Sequence, residues 1–159
     1  LETLLGYKAR SKTYSGILFK YAPFSLEKPF DSSVNTDAFN HQYSILSRFF
    51  VAVKNLTTNE DVEKDPWRNT KSFSLLRPTG INALLLILAK ILDKYPDAKI
   101  DFESILKPIE KTDFTRSAVA SMGTGWQGFR NFANEMINII NKDKNKSEHL
   151  LLYGDKDKQ

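Results

Sequence analysis

Cysteine is absent from the 159 residues, and histidine occurs only at positions 41 and 149. The first absence excludes a disulfide scaffold, the usual framework of a small secreted domain. Together the two shortages exclude a zinc cluster and a Cys–His pair, and leave little material for a Ser-His-Asp triad. Catalysis by carboxylates alone would need two acids at a set separation, which a sequence does not give. The expectation is a non-enzymatic domain without a metal or other cofactor. Long hydrophobic runs are also missing. The longest, "ALLLILAKIL" (83–92), is broken by Lys90, well short of the ~20 apolar residues that span a bilayer, so no membrane partner is expected. The N-terminus shows no basic, apolar, small-residue leader, and with no cysteine a cytoplasmic protein is expected. The chain opens on Leu1 rather than Met, which suggests the C-terminal part of a longer protein.

What is present fits a folded domain: 41% hydrophobic and 26% charged residues, with 11 Phe and 6 Tyr. A chain of this size buries about two-thirds of its unfolded surface. One helical domain over 1–141 and a charged tail over 142–159 are expected. The net charge of +4 is uneven, because Lys8, Arg10, Lys12, Lys20 and Lys28 face only Glu2 and Glu27 among the first 28 residues. Such a segment suits nucleic-acid phosphate, although a charge run is more often solvated surface. Lys8, Arg10 and Lys12 are the candidate phosphate contacts, with Arg130 as a secondary one.

The fold class predicted is mainly α, a compact helical domain with a short extended or β segment near the N-terminus. "YSGILFKYAPF" (14–24) supplies that segment, being β-branched and aromatic between Gly16 and Pro23. "EKPFDSSVNTD" (27–37) is turn chemistry. Phe39, Tyr43, Leu46, Phe50 and Val53 then recur at helical spacing, with Asn35, Thr36 or Asp37 as cap. Residues 57–73 form a polar connection. Its acidic residues at 60, 61, 63 and 65 lack the glycine of a calcium loop and read as solvated, with Trp67 as an anchor to the core. "RPTGINALLLILAKILDKY" (77–95) is a helix with Pro78 at its start, apolar nearly all round and therefore central. Pro96 stops it. Asp101 caps a short helix carrying Phe102, Ile105, Leu106 and Ile109 inward, until Pro108 ends or kinks it. Residues 111–122 lack a period and read as irregular. In the last helix Trp126, Phe129, Ala133, Met136, Ile137 and Ile140 form the apolar face, opposite Gln127, Arg130, Asn131, Asn134, Asn138 and Asn141. Those amides can hydrogen-bond base edges, but a solvated or partner-facing surface is the preferred reading.

"MGTGWQGFRN" (122–131) matches G-x-G-x-x-G letter for letter. A dinucleotide site also needs a strand before the glycines and a return to a parallel sheet, and neither is evident here. Thr79-Gly80 and Thr124-Gly125 instead repeat a helix-start pattern. Threonine can cap, while glycine permits close backbone approach or leaves amides free for an anion. End-to-end packing is preferred, and Thr79, Gly80, Thr124 and Gly125 are the candidate anion-binding residues. Nucleotide or anion binding there is the weakest of the functional readings.

The order "RFFVAVKNL" (48–56), "DPWRN" (65–69), "SLLRPTGINALLLILAKIL" (74–92) and "GTGWQGFRNFANEM" (123–136) resembles the C-terminal helical part of DGQHR-domain proteins, over about residues 15–140. The signature pentapeptide itself is not in the chain, so no signature residue maps onto it. The resemblance implies a helical accessory domain of a bacterial regulator linked to DNA modification or defence. The partner expected first is DNA. The alternative is a protein-interaction or dimerisation module that touches only itself or another protein.

Overall fold

The computed structural model describes residues 32–95 and 100–154, with side chains from residue 36. Five α-helices lie among the described residues: α1 (Ser32–Thr57), α2 (Pro78–Lys94), α3 (Phe102–Leu106), α4 (Arg116–Ser121) and α5 (Gly125–Asn141). Single 3₁₀ turns follow at Val62–Lys64, Lys107–Lys111 and Lys146–Glu148. No strand occurs among the described residues, where one isolated antiparallel bridge joins Phe73 and Thr115. The mainly helical class expected from the sequence is therefore observed. The extended segment expected over 14–24 lies outside the described residues.

α2 is the central element, as its composition dictates. Ala83, Leu84, Leu85, Leu86, Ile87 and Leu88 are consecutive and all buried, so the helix has apolar neighbours on every side. Its main neighbour is α5, which contributes Phe132, Ala133, Met136, Ile137 and Ile140. The two helices run in the same direction. Residue 153 touches both Leu86 and Asn134, while residues 149 and 150 touch Lys94 and Asn141. Increasing residue number thus leads the same way along both. A right-angled aromatic contact, Phe114 on Phe132 at 5.8 Å between centroids, closes the start of this layer. α1 packs on α3 and on the 3₁₀ turn after it, with Phe49 edge-on to Phe102 at 5.6 Å.

α3 follows the sequence closely. Asp101 accepts from the Ser104 amide at its N-terminus, and the helix tightens to 3₁₀ geometry where Pro108 removes an amide donor. Three expectations need correction. α1 starts at Ser32, so Asn35, Thr36 and Asp37 lie within it rather than at its cap, and no Gly or Pro between Ser32 and Asp37 interrupts the helix there. Its most buried face runs through Ala38, Gln42, Ile45, Phe49, Ala52 and Val53; of the predicted stripe, Val53 is fully buried and Leu46 and Phe50 are half-buried against the core, whereas Tyr43 is 74% exposed. Residues 111–122 are not irregular throughout: Thr115 caps α4 by accepting from the Ala118 amide.

The polar connection after α1 is ordered by its own side chains. Trp67 anchors it as expected, donating its indole N–H to Thr57 Oγ1 at 2.7 Å. Asp65 departs from the solvated reading, since it is 1% exposed and accepts from the Trp67 amide at 2.8 Å and from Arg68 Nε at 2.5 Å. Arg68 also donates to the carbonyls of Asn59 and Glu60.

Candidate functional site

The end of the molecule where α2 and α5 begin gathers most of the features a ligand would meet. Because the helices are parallel, the positive ends of both dipoles face this side. The Phe73–Thr115 bridge brings the segment before α2 against the start of α4: Ser74 N–H donates to Phe114 O, and Arg116 N–H donates to Ser72 O, both at 2.9 Å. Lys71, Arg77 and Arg116 are exposed here. Arg77 donates to Thr70 O at 3.1 Å and Arg116 to Lys71 O at 3.4 Å, so both guanidiniums converge on one short stretch of backbone. Among the described residues none of the three is held in an ion pair. Asp113 lies close by and accepts from the Thr115 amide at 2.8 Å, leaving the patch positive in balance. A patch of this sign attracts phosphate and other multivalent anions.

The two Thr-Gly pairs sit at these helix starts in different ways. The N-cap of α2 is Arg77, with Pro78 at the first helical position, which places Thr79 inside the helix. Gly80 is buried, and a Cβ there would collide with the carbonyl oxygens of Ser74 and Leu75. The chain before α2 folds over its own helix start, and only glycine permits that approach. Thr124 is the N-cap of α5 through its backbone and makes no side-chain capping bond. The close packing at α5 falls on Gly128, against the Gly123 carbonyl, whereas Gly125 has open space around it and a φ of +56°. Thr124, Gly125 and Trp126 all face solvent, Trp126 with 53% of its surface exposed rather than in the apolar face predicted for it. Residues 116–121, immediately before the glycines, are helical, so no strand leads into this G-x-G-x-x-G.

Of the predicted phosphate contacts, Lys8, Arg10 and Lys12 lie outside the described residues. Arg130 is half-buried with its guanidinium alongside Gly154, on the flank of α5 that receives the C-terminal segment. Lys71, Arg77 and Arg116 were not picked out by sequence reasoning. They are scattered through a polar loop, a helix start and a stretch without a period, and only the bridge between residues 73 and 115 unites them.

Two depressions lie elsewhere. A cleft of about 220 Å³ between the Thr57–Pro66 stretch and residues 110–114 carries Lys64, Glu110, Asp113 and the buried Thr112 hydroxyl, which has no hydrogen-bond partner. A wider groove of about 500 Å³ follows α1 past Arg48, Val51 and Asn55 to Phe102. Arg48 is spent within it, donating to Ile100 O at 2.5 Å and lying 5.5 Å from the Phe102 ring centre. Burial pushes the Asp65 carboxyl up, but the Trp67 amide and the Arg68 guanidinium outweigh it and hold the group below the usual carboxylate range. Both histidines are half-buried, His149 with Nε2 2.9 Å from Lys144 O.

No family model, curated protein or solved structure matches the chain. No helix among the described residues is long and apolar enough to cross a membrane.

Proposed function

We propose that this chain is a non-catalytic helical domain that docks on nucleic-acid phosphate through the end where α2 and α5 begin. The observation that carries the reading is the convergence of exposed Lys71, Arg77 and Arg116 at the common N-terminal end of two parallel helices. Each element alone is ordinary surface. Their coincidence puts three exposed cations and two helix dipoles behind one face, with the open backbone around Gly125 beside it. Lys8, Arg10 and Lys12 are further candidate phosphate contacts from the sequence. The resemblance to the C-terminal part of DGQHR-domain proteins makes DNA the first polymer to try.

Binding of a labelled 20-base-pair duplex at low salt, followed by anisotropy, tests this reading. Saturable binding that Arg77→Glu weakens at least fivefold supports it. Failure to bind at low salt removes it.

A second reading, a protein-interaction or dimerisation module, is favoured by a separate observation. Tyr43 and Val51 project from α1 at 74% and 53% exposure, and Val51 lines the wide groove. A mass that rises with concentration in sedimentation, and falls back when Tyr43 and Val51 are replaced by Ser, would support this alternative.

A further inference from the structure

The amide stripe of α5 does more than face water. Gln127, Asn131, Asn134, Asn138 and Asn141 recur at intervals of four, three, four and three and lie on one side of the helix. Two of them grip the backbone of the C-terminal segment in the same manner. Asn141 donates from Nδ2 to Leu150 O at 2.9 Å and accepts from the Leu150 amide at 2.8 Å. Asn134 donates to Tyr153 O at 3.1 Å and accepts from the Tyr153 amide at 2.8 Å. Each side chain thus satisfies both polar groups of one residue, as a neighbouring strand would.

The spacing explains the fit. Seven residues of helix rise roughly 10.5 Å, and three residues of extended chain cover roughly 10 Å. Any extended peptide running antiparallel to α5 therefore meets both asparagines in register. Side-chain selection comes from two positions: Leu150 is 2% exposed, and Tyr153 donates its hydroxyl to Leu86 O at 2.8 Å beneath Lys90, whose Nζ is 4.4 Å from the ring centre. Leu151 between them is 54% exposed and reads nothing. The reading is confined to these two positions, since Asn138 between them is exposed and Asn131 beyond them is occupied, donating to Met122 O at 2.8 Å and accepting from Gln127 Nε2 at 2.7 Å.

We propose that the groove between α2 and α5 is a peptide-binding site that reads backbone through Asn134 and Asn141. It takes an extended segment with an apolar residue followed three positions later by tyrosine. Leu150–Tyr153 is its resident occupant, tethered by the short link from α5, and a partner segment of the same pattern competes for the place. The tether gives the resident a high effective concentration, so a partner gains entry when the resident's hold is loosened.

The test uses the full chain carrying Tyr153→Ala, which removes the phenol contacts but leaves the Asn141–Leu150 pair. A fluorescent peptide of sequence SEHLLLYGDK, residues 147–156, is titrated and followed by anisotropy. Saturable binding is expected, at least tenfold tighter than to the unmodified chain. A peptide N-methylated at the positions of Leu150 and Tyr153 should bind at least tenfold more weakly, because those amides are the donors to the two asparagines. Absence of binding to a variant that keeps its helical circular dichroism, or equal binding of the N-methylated peptide, overturns the proposal. If Tyr153→Ala does not fold, the unmodified chain decides. Excess peptide should speed hydrogen exchange at its own Leu150 and Tyr153 amides, and unchanged exchange overturns the proposal.

Discussion

Asp65 is a charge taken almost wholly out of water, and its partners show what keeps it there. The Trp67 amide and the Arg68 guanidinium both bind its carboxylate, while Trp67 itself is pinned to Thr57. Removing the charge leaves two donors without a strong acceptor. Asp65→Asn is therefore expected to cost about 2 kcal/mol in urea unfolding. The pH dependence follows from the direction of the shift. The folded carboxyl titrates below its unfolded value of about 3.9, so its contribution is complete above that pH and is lost as pH falls through the folded value. The difference between native and Asn variant should shrink steadily below about pH 4, as urea midpoints measured from pH 7 to pH 2 would show. Gly80 makes the opposite kind of demand. Alanine normally stabilises a helix interior by roughly 1 kcal/mol over glycine, yet here its methyl would strike the Ser74 and Leu75 carbonyls. Gly80→Ala should lower stability by about 2 kcal/mol or more, a reversal of sign that thermal unfolding can check.

Among the elements, α1 shows why periodicity alone misplaces a face. The predicted stripe of Phe39, Tyr43, Leu46, Phe50 and Val53 reaches full burial only at Val53, while the buried face otherwise runs through Ala38, Gln42, Ile45, Phe49 and Ala52. Small and amide residues on that side let α3 and the turn after it approach, and Phe49 fills the space against Phe102. That choice depends on what arrives from residues 100–111, which a local window does not contain. Phe49→Ala should therefore cost about 3–5 kcal/mol, whereas Tyr43→Ala should change stability by less than about 0.5 kcal/mol. Parity between the two in denaturant unfolding would restore the predicted face. Other elements were legible because their signals are self-contained. α2 is apolar on all sides and starts with Pro78, and α3 carries its own cap at Asp101 and its own brake at Pro108. The amides of α5 were visible as a stripe, but their occupant was not, because it is chain that returns from residues 150–153.

At the scale of the molecule, the parallel arrangement of α2 and α5 is what brings separate features onto one face. It sets both helix starts on one side, with the 70–77 segment and the start of α4 beside them, and it leaves a long seam at the flank for the C-terminal segment. The Thr-Gly repeat pointed to this end from the sequence, while the three cations that give it a sign were dispersed and invisible as a group. The central claim is that Lys71, Arg77 and Arg116 lie on nucleic-acid phosphate. The most direct measurement is the salt dependence of duplex DNA binding for the native chain and for the triple variant with Gln at all three positions. Each phosphate neutralised contributes about 0.9 to the slope of log K against log salt. The account predicts a steep native slope that falls by about 2.7 in the triple variant, with weaker binding at every salt concentration. Binding that keeps its full slope without the three cations, or an affinity indifferent to salt, would contradict it.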